Sequence, residues 1–406
     1  MTGCVLVTLY LSCYMYFAIS ALTATRATPL ERWLFVADPQ IQGDERVAKD
    51  GLYGQLDVLY NDWYLTHVMD NAYRFLRPHL VFVVGDLISN HQAGAFEFQD
   101  RVERLRAIFE REGRVSPDFL SGAFADPSQE PPRSSVQADF PQHLHGDGGP
   151  PQAPLVWLVG NHDIGYGGEI MESRLDAWEL AFGPSNRLLR SPSGHWFAVL
   201  NSQTLDATRK PAHRERTLEF VASVPAAVAP GEPLVLVKHI PLHKEAGFCS
   251  DAPLLKLSAG GAVLKQNFLS PAASELLLEQ LAPVMIFNGH DHEGCSYAHA
   301  WPPGHRTPEY TLRSVMGDYS GYVTVVDVHR HTPQPGDQEQ DQQDQQAGRA
   351  FVYHVSHIPF VSIRVVTALI LLWVLLLLIG AFVLVRSPRL GAAAFLEYER
   401  VAGKTE

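Results

Sequence analysis

The sequence is short of cysteine, has no excess of basic charge and contains no internal repeat. Each shortage closes a class of function. Only four of its 406 residues are cysteine, and none of the four belongs to a C-x-x-C pair, which excludes a zinc ribbon. Cys4 and Cys13 fall in an apolar N-terminal stretch. Cys249 and Cys295 fall in the globular part, where two free thiols fit the sequence, and so does one disulfide if the domain is extracytosolic. Lys and Arg total 32 against 44 Asp and Glu, a formal net charge of −12, which argues against a nucleic-acid partner because such binding needs a basic surface. The same acidic balance suits a site that gathers carboxylates around cations. Hydrophobic residues make up 46% of the chain, enough for a sizeable core.

Long apolar runs are present at both ends. Val365–Val385 carries no charge, and 21 residues at ~1.5 Å each reach roughly 32 Å, the thickness of a bilayer core. This predicts a transmembrane helix over 361–386 with a short tail, 387–406. Arg386 and Arg389 follow the run and Arg364 alone precedes it, so the positive-inside rule puts the tail in the cytosol and the main domain in the lumen or outside the cell. The stretch 1–28 reads as a signal peptide or signal anchor. Its flanking charge, Arg26 and Arg32 after and none before, favours the opposite orientation. Lys404, third from the end, is a poor match to a dilysine retrieval signal.

Between these ends, short apolar runs recur, rich in Val, Leu and Phe: Trp33–Ala37, Leu80–Val84, Leu155–Val159, Trp196–Leu200, Leu234–Val237 and Val284–Phe287. Runs of this kind are strands covered on both faces. Asp57–Leu76 and Ser274–Leu281 have the apolar spacing of crossover helices. The expected fold class is α/β, a layered β-sandwich flanked by helices over residues 29–356. Two polar, Pro- and Gln-rich stretches, near 113–154 and 332–348, read as flexible insertions. The second lies between strand-like Val323–Val328 and Ala350–His354.

Polar clusters stand directly after the apolar runs, at the strand ends where α/β folds place their ligands. In order they are Asp38-Pro39-Gln40, Gly85-Asp86, Gly160-Asn161-His162-Asp163, Lys238-His239 and Gly289-His290-Asp291-His292. Any one of them reads as a turn; five in succession do not. Carboxylate, amide and imidazole donors without thiolates suit a pair of divalent Mn, Fe or Zn ions. Two such ions roughly 3.5–4 Å apart need a bridging carboxylate and a bridging water able to attack phosphorus in line.

This ordered pattern, D-x-(H/Q)…GD…GNH(D/E)…H…GHxH, resembles the calcineurin-like metallophosphoesterase superfamily from Asp38 to His292. The resemblance implies one metal on Asp38, Gln40, Asp86 and His292, and a second on Asp86, Asn161, His239 and His290, with Asp86 bridging. It implies His162 as proton donor to the leaving oxygen and Asp163 as the residue that orients His162 or its loop. Position 40 departs from the usual histidine; an amide oxygen there is the harder, weaker ligand and favours manganese. The D-P-Q block, the Asn61-Asp62-Trp63-Tyr64 segment and the C-terminal span are similar to a narrower branch, the endoplasmic-reticulum phosphoesterases that remodel GPI-anchor glycans. That branch removes ethanolamine phosphate from a mannose of the glycan, which lets cargo receptors export GPI-anchored proteins. The partners it implies are a GPI-anchored protein or another membrane-linked phosphoester, the membrane and cargo receptors. His243, Lys244 and Tyr166 lie near the motif blocks and are expected substrate contacts. Two other readings share the fold: a phosphatase acting on another lipid or nucleotide ester, and a non-catalytic trafficking scaffold.

Overall fold

The structure is a computed structural model and describes residues 28–111, 115–116, 136–140, 152–302, 304–331, 351–360 and 363–386. The N-terminal segment 1–27, most of the first insertion, all of the second and the tail lie outside these residues. Fifteen described strands run in chain order: β1 (Glu31–Val36), β2 (Leu80–Val83), β3 (Val115–Ser116), β4 (Val136–Asp139), β5 (Ala153–Trp157), β6 (Arg187–Arg190), β7 (Trp196–Leu200), β8 (Leu234–Lys238), β9 (Leu255–Leu257), β10 (Val263–Gln266), β11 (Met285–Asn288), β12 (Cys295–Trp301), β13 (His305–Thr311), β14 (Val323–Arg330) and β15 (Phe351–Ile358). They form a six-stranded sheet, β15-β14-β1-β2-β5-β3, a seven-stranded sheet, β12-β13-β11-β8-β7-β6-β4, and a separate β9–β10 pair.

Each of the six short apolar runs between the ends becomes a strand, with its ends shifted by at most two residues. The runs are continuous because both faces of each sheet are covered. On β1, Trp33 and Phe35 point between the sheets and meet Phe82, Phe197 and Phe287, while Leu34 and Val36 point outward to a helical layer. Phe35 stacks on Phe287 across the sandwich with ring centroids 4.1 Å apart. The first sheet is covered by α1 (Asp44–Asn71), α2 (Ala95–Phe109) and, beyond the one-turn α3 (Asn161–Ile164), α4 (Glu172–Phe182). The second is covered by α5 (Pro211–Ala227) and α6 (Pro271–Leu281). Helix α2 illustrates the cause: Phe98, Val102, Leu105, Ile108 and Phe109 recur at helical spacing and are its buried apolar face. The architecture is thus a mixed α/β sandwich of two sheets between helices.

The centre of each sheet is parallel. β1 pairs with β2 and β2 with β5, while β8 pairs with β7 and β11. Parallel neighbours bring the carboxyl ends of these strands to one edge, and the polar clusters with them. The sequence reading missed the antiparallel β12–β13 hairpin, in which histidines, a proline and charges interrupt the expected alternation. It also began the first crossover helix too late: α1 starts at Asp44, bends at Gly51 (φ 56°, ψ −130°) and passes into a π-helical turn, Ala72–Leu76.

A last helix, α7 (Ile363–Arg386), occupies the stretch expected to cross a membrane. Its unbroken run of described side chains is residues 371–383. Among the described residues no helix is long and apolar enough to cross a membrane. Cys249 and Cys295 form a disulfide, Cα–Cα 5.5 Å, across a sequence separation of 46. It ties the loop after β8 to the start of β12.

Candidate metal centre

The two central sheets contribute unlike donors. Asp38, Asp86 and Asn161 follow β1, β2 and β5; His239, His290 and His292 follow β8 and β11. They converge as two triads, Asp86–His239–His290 and Asp38–Asp86–His292, whose donor atoms lie within 4.8 Å of one another in each triad. Asp86 belongs to both. The family resemblance implies the same division, with Asp86 shared.

The two amides sit beside the triads. Asn161 Oδ1 is 3.2 Å from His239 Nε2. Gln40 Nε2 is 3.3 Å from Asp86 Oδ2 and 3.1 Å from His292 Nε2, and turning that amide over brings its oxygen to the same place. Backbone carbonyls fix two imidazole tautomers. Val84 O accepts from His239 Nδ1 at 3.0 Å, which leaves Nε2 as the donor atom. Gln266 O accepts from His290 Nε2 at 2.9 Å, which leaves Nδ1.

Reaching this point requires backbone strain. Among the described residues seven non-glycine positions have positive φ, and four of them are here: Asp38 (53°), Gln40 (42°), Asp86 (48°) and His290 (77°). Such conformations are costly outside glycine and persist where surrounding structure imposes them. Gly85 (φ 74°) is needed as glycine because a Cβ there would strike the His239 ring, and Gly160 because one would strike the Asp86 backbone and carboxylate.

The electrostatics show a centre short of positive charge. Asp38 and Asp86 are buried, and among the described residues their ion pairs are all with histidines. Burial, and then the Asp86 charge, hold the Asp38 carboxyl well above its usual range against the pull of His239. Burial acts to raise Asp86 too, but His239 and His162 outweigh it and hold it low. Burial would lower His239; Asp86 and Asp38 overcome this and lift it to about 9. His290 is driven down to about 3 by burial, then by His239. The oxygen and imidazole donors fit two divalent metals, whose positive charge would offset the buried carboxylates.

His162 stands over the triads. Its backbone N–H donates to Asp86 Oδ1 at 2.8 Å, its Nδ1 donates to Ser89 O at 2.7 Å, and its Nε2 lies 3.9 Å from Asp86 Oδ2. Asp163 does not orient that ring. Its oxygens accept from the N–H groups of Gly160 (2.6 Å) and Ile88 (3.0 Å), so it shapes the loop. Burial, then Asp86, push its carboxyl up to about 8 against those two bonds.

The three expected substrate contacts separate. Tyr166 meets the His290 ring edge-on, centroids 6.2 Å apart. His243 is half-buried, with its N–H bonded to Ser274 Oγ at 2.8 Å. Lys244 is corrected: its side chain turns inward, is buried, pairs with Glu309 Oε2 at 2.7 Å and lies over the Phe268 ring. Nearness in sequence to His239 misled, because the loop turns over between the two. The sequence reading also missed Ser89, whose carbonyl fixes His162, and Tyr319, whose ring meets His292 edge-on at 4.8 Å. A carbonyl leaves no trace in residue type, and nothing in Gly317-Asp318-Tyr319 marks it as a neighbour of the centre.

Comparison with known proteins agrees with this geometry. The chain is 28% identical over 319 residues to an uncharacterized protein of Schizosaccharomyces pombe, covering 72% of this chain and 68% of that one. It is 26% identical over 354 residues to Protein TED1 of Saccharomyces cerevisiae, covering 74% of each. It is 25% identical over 307 residues to Metallophosphoesterase 1 of Ailuropoda melanoleuca, covering 69% of this chain and 64% of that protein, slightly less than two thirds of its length. Residues 32–294 match the calcineurin-like phosphoesterase family, a span that takes in all five polar clusters; the chain belongs to that family and is a metal-dependent hydrolase of phosphate esters.

Proposed function

We propose that the protein is a phosphodiesterase that removes ethanolamine phosphate from the glycan of a GPI anchor in the lumen of the endoplasmic reticulum. The observation that carries the catalytic part is the pair of triads sharing Asp86, with His162 above them. Asp38, Gln40, Asp86 and His292 would hold one cation, and Asp86, Asn161, His239 and His290 the other. Bound there, two divalent cations, manganese being favoured by the amide at position 40, supply Lewis acidity toward a phosphoryl oxygen and acidify water.

The chain's residues do the rest. The carbonyls of Val84 and Gln266 keep the ligating imidazole nitrogens bare. Ser89 O can only accept, so Nδ1 of His162 keeps its hydrogen and Nε2 is the atom that exchanges a proton with the leaving oxygen. His162 is in place, which disfavours a purely structural scaffold.

Support for the substrate and compartment comes from several sides. The Asp38-Pro39-Gln40 block and the Asn61–Tyr64 segment are similar to the GPI-remodelling branch. The Cys249–Cys295 disulfide suits an oxidising lumen. The charge-free Val365–Val385 is long enough to anchor the domain beside a membrane-linked substrate. The test is mass spectrometry of GPI glycans from cells lacking the protein. Retained ethanolamine phosphate, lost again on re-expression, is expected; an unchanged glycan would reject the GPI substrate.

A further inference from the structure

Among the described residues nothing covers an apolar stripe on helix α1. Leu52, Leu56, Leu59 and Trp63 are 73%, 57%, 67% and 54% exposed, although buried apolar side chains would be the norm on a helix of this length. Their spacing of four, three and four residues puts them on one face. That face points away from Tyr64, Leu65, Val68 and Met69, which pack into the core. No charged side chain interrupts it, and Tyr60 stacks on Trp63 at one end, ring centroids 5.7 Å apart.

The flank of the stripe meets α7. Tyr60 Oη and Thr367 Oγ1 are 3.2 Å apart. A cavity of about 640 Å³ opens at this junction, lined by polar groups of α1 including Arg46, Asp57 and Asn61, by Asp318, and by Thr367 and Leu371 of α7. Beyond it α7 exposes leucines on all its sides between Leu371 and Leu378. A helix apolar all round and uncovered by any described residue fits contact with lipid.

From this continuity we infer that the stripe of α1 lies on the bilayer surface beside α7, so that the catalytic domain rests on lipid. This rests on the reading of α7 as the membrane anchor. The stripe supplies apolar side chains with Trp63 and Tyr60 as interfacial aromatics, and the polar cavity faces the headgroup layer. Asp318 of the cavity precedes Tyr319, whose ring touches His292, so the metal centre opens close to that layer. The substrate phosphoester is accordingly one held near the membrane rather than one diffusing in solution.

The test uses the full chain with Cys4→Ser and Cys13→Ser, reconstituted in phosphatidylcholine nanodiscs. An environment-sensitive fluorophore is placed at Leu56→Cys, at Leu375→Cys in the anchor and at Lys256→Cys on exposed β9. A blue-shifted emission at 56, quenched by doxyl-labelled lipid severalfold more than at 256, is expected. A probe at 56 that behaves like 256 while 375 is quenched overturns the stripe and spares the anchor. A probe at 375 in water overturns the anchor itself, and the stripe with it. A probe at 56 that is shielded yet unquenched identifies a protein partner and also overturns the inference. A second variant, Leu56→Asn with Leu59→Asn, should raise KM severalfold for a bilayer-embedded phosphodiester and leave turnover of a soluble aryl phosphodiester unchanged; equal losses on both would overturn it.

Discussion

Glu309 and Asp86 are both buried carboxylates on the same seven-plus-six-stranded sandwich, yet the protein surrounds the first with its own cations and leaves the second to histidines. Glu309 Oε1 accepts from Lys238 Nζ (3.1 Å), Leu242 N (2.8 Å) and Asn288 Nδ2 (2.7 Å), and Oε2 from Lys244 Nζ (2.7 Å) and His299 Nε2 (2.8 Å). Burial alone would raise its pKa, but Lys244 and Lys238 hold it well below its usual value. Asp86 shares its surroundings with Asp38 and Asp163, and among the described residues no lysine pairs with it. A carboxylate saturated with internal donors ties strands together; one left without a permanent cation is where a foreign cation binds. The difference separates a structural ion cluster from a catalytic one.

The sharpest way to break the comparison is to remove each carboxylate in turn. Asp86→Ala should abolish metal-dependent hydrolysis of an aryl phosphodiester, by more than the roughly 10²–10³-fold that loss of one catalytic hydrogen-bond donor costs, and should lower the bound metal measured by elemental analysis. Residual activity near wild type would deny Asp86 its bridging position.

Glu309→Gln should leave the metal content intact but strand two buried lysines, destabilising the fold by about 3–5 kcal/mol in denaturant unfolding. Its pH dependence sharpens the contrast. The Glu309 pKa is depressed in the folded state, so its contribution is full above the ordinary value of 4.5 and is lost as pH falls below it toward the folded value. The variant should lack that part of the acid limb of stability.

The smallest effect has the opposite sign. In metal-free protein Asp38→Asn should raise stability in denaturant unfolding, because it relieves a buried carboxylate facing Asp86. Metal binding should weaken in the same variant. A loss of metal-free stability comparable to that of Glu309→Gln would erase the distinction between the two centres.

How much of this was legible in the sequence follows from the range of the causes. The central strands were, because burial on both faces forces continuous runs such as Leu80–Val84. The gathering of the polar clusters was, because parallel strands deliver their carboxyl ends to one edge, and the family resemblance then picked out Asp38, Asp86, Asn161, His239, His290 and His292 among them. The Glu309 cluster was not. Lys238 and Lys244 flank the His239 loop and looked like part of it, and their partner sits on β13, a strand whose proline and charges hide it. Carbonyl contacts such as Ser89 to His162 have no residue-type signal at all. The bend at Gly51 and the exposed stripe beyond it were equally silent, since a stripe facing lipid and one facing a core share the same spacing.

The candidate donors come from both sheets, with Asp38, Gln40, Asp86 and Asn161 following strands of one and His239, His290 and His292 following strands of the other. Cations bound there would draw on both halves, and so would act as a clasp between two layers joined otherwise by contacts such as Phe35 on Phe287. A defect in that interlayer packing would therefore surface as poor metal retention, even where the altered residue is remote from every donor atom.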